Sequence, residues 1–372
     1  MKIKKYLLLL LICALSLGAL TACGGADAPA AAPPAPTPEP PTGEAPSPQP
    51  QPDAPGEPEE PEEPEVPEVP AVPELVGTYV RVGALRGPTG MGIAPLMEWA
   101  MDGQTINNYH FTIGGAPDEM MAGLISGELD IASVPPNMAS LLYNRTEGEV
   151  KVIAISTLGN LAVLDSTGEI NSIEDLRGQT INITGQGGVP QFAFEHVLRQ
   201  NGIEPGVDVE IVFNVEHAEL ASLMVAGNVS LGMLPQPFVT TVLNNSEDVR
   251  IAIDLTEAWE AAIPGTQFVQ GVTVVRTAFL EEHPDAVKLF LRDQEESVAV
   301  TNARPEEIAE LIGFFEIIPA PIARQAIPRS NLVHISGAEM KPLILANLAV
   351  LYDANPQTVG GAIPDEEFFF LG

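Results

Sequence analysis

Cysteine is nearly absent from this sequence: Cys13 and Cys23 are the two it has, both close to the start. Everything after Cys23 is therefore without a thiol nucleophile, a disulfide or a cysteine-held metal. Positive charge is scarce as well, with 17 Lys and Arg against 50 Asp and Glu and a formal net charge of −33. Such a chain repels polyphosphate backbones and anionic lipid surfaces, so nucleic acid is excluded as a partner. There is no Gly-x-Ser-x-Gly elbow and no Walker-type Gly-Lys-Ser/Thr, and Gly87-Pro88-Thr89-Gly90-Met91-Gly92 lacks the dinucleotide spacing. His110, His196, His217, His283 and His334 show no paired ligand spacing and read as surface or capping groups, so neither metal nor cofactor is expected. Acid pairs such as Asp118 and Glu119 fall in a helix's first turn, where they stabilise its positive end. No catalytic residue is expected.

What is present begins with an address. Lys2, Lys4 and Lys5 precede an apolar run from Leu7 to Leu20, too short to cross a bilayer comfortably, and then Leu20-Thr21-Ala22-Cys23. Residues 1–22 thus read as a signal peptide. The last four residues resemble a bacterial lipoprotein box, which implies acylation of Cys23 and its exposure as the mature N-terminus. Lipid chains there would hold the protein at the outer face of the bacterial cell membrane.

Between Gly24 and Val76 lie 18 prolines and 12 acidic residues with no Lys or Arg. This composition cannot bury enough apolar surface to fold, and its prolines favour extended backbone, so residues 23–76 read as a lipidated cysteine followed by a disordered tether. Its reach is at most roughly 160 Å at about 3.1 Å per residue. With 45% apolar residues overall, the remaining stretch, 77–372, has enough to fill a large core.

Periodicity in that stretch alternates strands and helices, the pattern of an α/β fold with mainly parallel sheets. A strand carrying Val80, Val82 and Ala84 leads through Gly87–Gly92 into a helix ending near Trp99, and a second strand at 111–113 is followed by a helix over 118–126. Sliding the sequence by 99 or 100 residues superposes a second such unit: Val82 meets Ile181, Gly103 meets Gly202, Glu119 meets Glu219, Gly127 meets Gly227 and Pro135 meets Pro235. Two similar lobes account for this repeat and enclose a cleft. Lobe one is expected to span 77–165 and 265–372, and lobe two 166–264. Helices are expected over 284–303, 305–314 and 338–353, completing lobe one.

The order of these features resembles the substrate-binding proteins of ABC importers, in the branch holding nitrate, aliphatic-sulfonate, taurine and thiamine-precursor binders. It rests on the lipoprotein start, the Gly87–Gly92 turn, Gly127-Glu128-Leu129-Asp130 before a strand, and Ser172-Ile173-Glu174-Asp175-Leu176-Arg177-Gly178-Gln179 with Gly185-Gln186-Gly187-Gly188 after it. Leu234-Pro235-Gln236-Pro237-Phe238 and Phe279-Leu280-Glu281-Glu282-His283-Pro284 complete the series. The resemblance implies a monomeric two-lobed clamp that captures a small solute and hands it to ABC permease subunits. Sulfonates, nitrate-like anions and pyrimidine or other vitamin precursors are the solutes it implies. One relative in that branch is a pyrimidine synthase relying on clustered cysteines, which this sequence lacks. A secreted enzyme on the same scaffold, or a ligand-sensing receptor component, are the rival readings.

In α/β sheets ligands bind beyond the carboxyl ends of the strands. The turns that qualify are 87–91, 115–118, 134–137 and 157–160 in lobe one, and 186–191 and 235–238 in lobe two. Candidate binding residues are Arg86, Gly87, Thr89, Gly90, Met91, Pro135, Asn137 and Thr157, with Gln186, Gly187, Gly188, Gln236 and Phe238. Free turn amides at 89–92 and 187–188 suit an electron-rich ligand atom, and Arg86 suits an anion. Met91, Met138, Phe192 and Phe238 are candidate apolar walls, with ordinary core packing the alternative for Phe192 and the methionines, while Trp259 and Glu216 are candidate gates. A monoanion, a zwitterion or a neutral heterocycle fits so acidic a domain better than a multiply charged anion. Gln236→Ala and Gly90→Val are each expected to weaken binding and leave the fold intact.

Overall fold

The computed structural model describes residues 77–213 and 215–372; the leader, Cys23 and the Pro/Glu-rich segment lie outside the described residues. From Tyr79 the chain runs β1 (Tyr79–Leu85), α1 (Pro88–Gly92), α2 (Ala94–Met101), β2 (Asn108–Gly114), α3 (Pro117–Ser126), β3 (Ile131–Val134), α4 (Pro136–Arg145) and β4 (Val150–Leu158). It then crosses over into β5 (Leu161–Asp165), β6 (Thr180–Ile183), α5 (Val189–Gln200), β7 (Glu210–Val212), α6 (His217–Val225), β8 (Leu231–Pro235), α7 (Phe238–Asn245), β9 (Arg250–Asp254) and α8 (Leu255–Ala262). The return gives β10 (Val269–Arg276), α9 (Thr277–Glu282), α10 (Pro284–Ala303), α11 (Pro305–Phe314), α12 (Ala320–Ala326), β11 (Leu332–Ser336) and α13 (Met340–Ala354).

Local chemistry explains most of these boundaries. Proline occupies the first or second position of α1 to α5 and of α10, α11 and α12, where its missing N–H has no intrahelical partner to lose. Asp118 and Glu119 sit in the first turn of α3, and Gly127 ends that helix in the left-handed region at φ 75°.

The strands form two sheets, one per lobe, each flanked by helices. The first has the order β11-β4-β10-β3-β1-β2 and the second β7-β6-β8-β5-β9. Within each, three strands are parallel in the same order, β2-β1-β3 and β7-β6-β8, which is the internal repeat seen in three dimensions. Next to each trio lies a strand from a crossover, β10 against β3 and β5 against β8, and both run antiparallel. The sheets are therefore mixed, parallel in the repeated halves and antiparallel where the chain enters or returns. Residues 161–165, placed by periodicity at the end of lobe one, belong to the second sheet. Their pairing is long-range, and no local pattern encodes it.

Two crossovers connect the sheets, and C-terminal side chains hold both. At the first, Asn331 donates to the Gly159 carbonyl and its own carbonyl accepts from Leu158 N at 3.0 Å. Gly159 tolerates no side chain, because a Cβ there would stand 2.3 Å from Thr256 Oγ1 and 2.8 Å from Phe268. At the second, buried Asn347 of α13 accepts from Val269 N at 3.0 Å and donates to the Gln267 carbonyl at 2.8 Å. Trp259, a candidate gate from the sequence, is 1% exposed and stacks on Phe268 at 5.0 Å, so it packs the crossover instead.

Lobe one carries a buried ion-paired network at its sheet. Asp130, 1% exposed, accepts from Arg81 Nη2 at 2.5 Å and from Arg276 Nη2 at 3.0 Å, linking β1 to β10 beside β3. Burial pushes the Asp130 carboxyl up, but hydrogen bonds from Arg81 and Arg276 outweigh it and hold the group below the usual carboxylate range.

Candidate functional site

A cleft of about 680 Å³ opens between the lobes, lined by residues of both. Every turn picked out from the sequence reaches it. Lobe one contributes Arg86 and Thr89 after β1, Pro117 and Asp118 at the start of α3, Pro135, Asn137 and Met138 around the start of α4, and Thr157 and Asn160 at the first crossover. Lobe two contributes Gln186, Gly188 and Pro190 before and within α5, Glu216 and His217 at the start of α6, and Gln236 and Phe238 before and within α7. At the mouth, a Cβ on Gly87 would stand 3.7 Å from Pro237 of the other lobe, and Gly87 itself adopts φ 120°, a conformation suited to glycine.

Of the thirteen candidate residues from the sequence, Arg86, Thr89, Pro135, Asn137, Thr157, Gln186, Gly188, Gln236 and Phe238 line this cleft. Gly87, Gly90, Met91 and Gly187 do not. Met91 is fully buried with Val298, Ile308 and Ile312 in a core beneath α10 and α11, because α1 begins at Pro88 and turns that side chain inward. Gly90 is needed for close packing: a Cβ there would lie 2.6 Å from the Leu85 carbonyl oxygen. Phe192 is core as well, facing α13 beside a separate cavity of about 380 Å³ that His196 and Asp353 also line. Glu216 does stand at the cleft edge, exposed.

The polar groups are arranged unevenly. Arg86 Nη1 donates to the Glu316 carbonyl at 2.5 Å, and Thr89 Oγ1 accepts from Leu85 N at 3.1 Å, tying it to the end of β1. Gly187 N donates to Gln191 Oε1 at 2.8 Å. The expectation of free turn amides is thus corrected at Gly187, whose N–H its own helix already uses. Gln236 Oε1 accepts from Thr240 Oγ1 at 2.8 Å, and Gln236 N donates to the Asn160 carbonyl at 3.0 Å. Asn137 Oδ1, Thr157 Oγ1 and Asn160 Oδ1 are buried and have no hydrogen-bond partner among the described residues.

Two contributors escaped the sequence reading. His217, read there as a surface or capping group, is half-buried in the cleft, with Nδ1 2.5 Å from Thr184 Oγ1 and its ring 5.3 Å from that of Phe238. Burial pushes its pKa below the ordinary value, with Glu216 acting weakly the other way, so the ring is neutral near pH 7. Carrying the repeat through would have found it, since Pro117 maps onto His217 at the 100-residue offset. Gln270, on the return strand, lines the cleft and accepts from Asn160 N; no sequence signal marks it.

A side pocket of about 240 Å³ adjoins the cleft through Gly185, Gln186 and Glu216 and is lined further by Thr184 and Glu219. Among the described residues no group of three or more His, Cys, Asp or Glu could hold a metal ion, and no helix is long and apolar enough to cross a membrane.

Comparison with known proteins adds three findings. The model of the family described as NMT1/THI5 like matches residues 118–308, just over half of the chain. YtlA of Bacillus subtilis (strain 168), whose name calls it a binding protein, is 29% identical over 131 residues, or 34% of this chain; the chain spans only 38% of that relative's length. Among solved structures, an ABC transporter protein from Parabacteroides distasonis is similar with a TM-score of 0.66 at 22% identity, over 78% of this chain and 98% of that one. The periplasmic aliphatic sulphonate binding protein SsuA of Escherichia coli gives 0.64 at 16% identity, over 78% of this chain and 92% of its own. At these identities the structural likeness concerns the fold.

Proposed function

The chain belongs to the NMT1/THI5-like family, and from that premise we propose that it is the extracytoplasmic solute-binding component of an ABC importer. The observation that supports this most directly is the cleft, whose walls come from both lobes and whose floor includes the first crossover. Such a molecule closes by hinge motion, and a solute favours closure only by making better contacts in the closed form. The closed clamp then presents the solute to permease subunits. Chemistry is limited to noncovalent capture by a monomer. Signal peptide 1–22, lipidated Cys23 with its tether to residue 76 and solute-binding domain 77–372 are its parts, with acylated Cys23 holding it at the outer face of the cell membrane.

One contact favours the rival enzyme reading: Thr184 Oγ1 lies 2.5 Å from the imidazole of His217. Thr184 is 2% exposed, however, so its hydroxyl orients the ring rather than meeting a substrate.

The test is thermal unfolding of the purified protein against sulfonates, nitrate, carboxylates, pyrimidines and other vitamin precursors. A solute at 100 times its Kd stabilises by about 2.7 kcal/mol, a clear midpoint shift. A shift with one chemical class and no turnover supports the importer component; turnover of the hit supports the enzyme; no shift with any class overturns the solute-binding reading. For the anchor, Cys23→Ala should release the protein from membranes or block its processing, and normal membrane retention would contradict acylation there.

A further inference from the structure

The first crossover is short: Gly159 and Asn160 are all that lies between the end of β4 at Leu158 and the start of β5 at Leu161. The peptide joining them is gripped at both ends by side chains of lobe one. Asn331, immediately before β11, donates its side-chain amide to the Gly159 carbonyl, and Gln270 Oε1 of β10 accepts from the Asn160 N–H at 2.6 Å. The Asn331 carbonyl accepts from Leu158 N at 3.0 Å and backs the grip. Past the Asn160 Cα the allegiance changes. The Asn160 carbonyl accepts from Gln236 N at 3.0 Å, and Leu161 pairs with Pro235 in the second sheet. Each peptide unit is planar, so two successive units fixed to different lobes leave only the dihedrals of Asn160 between them.

The second crossover divides as sharply. Trp259 Nε1 donates to Thr266 Oγ1 at 3.2 Å, and Thr266 Oγ1 donates to the Ile263 carbonyl at 2.8 Å, which holds Thr266 to the end of α8 in lobe two. The Gln267 carbonyl and Val269 N are both held by Asn347 of α13 in lobe one. Here the change of lobe falls between Thr266 and Gln267.

We propose, resting on the solute-binding reading above, that Asn331 and Gln270 are positioning residues that lock the Gly159–Asn160 peptide to lobe one and so confine the bend of the first crossover to a single residue, Asn160. The axis of closure then passes through Asn160 and through the link between Thr266 and Gln267. Hinges absorb their change of dihedral at a few such positions, and a crossover free to bend at more of them samples more arrangements of the lobes. Asn160 also lines the cleft, with its Oδ1 buried and without a partner among the described residues. The residue that turns on closure is thus one that a solute reaches, whereas Asn331, which is not among the lining residues, governs the turn from outside the cleft.

The distribution of distances between the lobes reads this directly. Nitroxide labels carried by a non-canonical amino acid at exposed Ile125 of α3 in lobe one and exposed Val207 in lobe two report it by pulsed electron resonance in the full chain, with no solute added. Asn331→Gly removes the amide donor while accepting the left-handed backbone that Asn331 adopts at φ 44°. It is expected to broaden the distribution relative to the parent chain, with a cooperative unfolding transition retained. Gln270→Ala should broaden it as well, and Gln270→Glu, which keeps an acceptor oxygen for the Asn160 N–H, should restore the parent width. A merely structural role would lower the unfolding midpoint and leave the width alone. If Asn331→Gly does not fold, the two Gln270 variants decide. Parent width in the variants that lose the bond overturns the proposal, and so does a Gln270→Glu distribution as broad as that of Gln270→Ala. Because no solute is present, either result leaves the solute-binding reading to the ligand panel above.

Discussion

Asn160 on the outgoing crossover and Gln270 on the returning strand are joined directly: the Asn160 N–H donates to Gln270 Oε1 at 2.6 Å. Both residues also line the cleft. The bond therefore ties the two chain crossings to each other at the point where a solute would rest, so hinge geometry and binding surface share one contact.

Gln270→Ala should accordingly affect both. Loss of one hydrogen bond of this kind costs about 1 kcal/mol, and loosening of the floor should weaken any bound solute. Denaturant titration and ligand titration read the two effects separately. A variant with native stability and native affinity would show that the contact is incidental.

Thr157→Val should separate stability from binding. The side chain is buried, its hydroxyl is unpartnered, and valine has nearly the same shape. Removing an unsatisfied buried hydroxyl is neutral or stabilising by up to about 1 kcal/mol in the free protein. Solute affinity should fall, because an acceptor in the floor is gone. A loss of stability with unchanged affinity would mean that the hydroxyl has an internal role.

Gly90→Val should behave unlike Gln236→Ala, although the sequence puts both in one class. Valine at 90 drives a Cβ against the Leu85 carbonyl oxygen at 2.6 Å and Ile317 at 3.0 Å. Overpacking of this sort costs about 1–3 kcal/mol, so the expected result is a lowered unfolding midpoint. Gln236→Ala, at the cleft, should lower solute affinity with a smaller effect on the midpoint. Equal midpoints for both variants would contradict the packing described around α1.

Stability should fall as the solution is acidified from pH 7 towards pH 5. Burial lowers the pKa of His196, His217 and His334 in the folded protein, against an ordinary value of about 6.5 in the unfolded chain. Below that value the unfolded state takes up protons that the folded state resists, so stability present above about pH 6.5 is lost as the pH drops through the folded values. Denaturation midpoints between pH 7.5 and 5 measure the slope. His334→Asn, outside the cleft, should flatten part of it; an unchanged slope would remove His334 from the account.

Much of the architecture was legible because repeated local patterns wrote it twice. The offset of 99 to 100 residues gave the matching parallel trios β2-β1-β3 and β7-β6-β8. Apolar residues at three- and four-residue spacing placed helices at Pro284–Ala303 and Pro305–Phe314, the bounds they have in the structure. The turns bounding the cleft followed from their position after strands. What stayed hidden depended on long-range partners. An apolar methionine in a glycine-rich turn reads the same facing a ligand or facing Ile308, so Met91 was misplaced. The engagement of Gly187 by Gln191 and of Arg86 by Glu316 has no sequence signature. Neither has Gln270, which reaches the cleft only because β10 pairs back against β3 and β4.

That return strand also dictates an order of assembly. During synthesis β10 emerges only after all of 161–262, yet it belongs between β3 and β4 in the first sheet. A chain cut or stalled near Ala262 holds every strand of the second sheet, while its first sheet is split, with β4 severed from the β3-β1-β2 trio and three pairing edges open, one on β3 and two on β4. Unpaired edges recruit other strands, and distant pairings form slowly. The half of the protein that is translated first is thus the last to become safe from aggregation, and truncation in the middle of the chain should yield insoluble product even though an entire lobe has already been made.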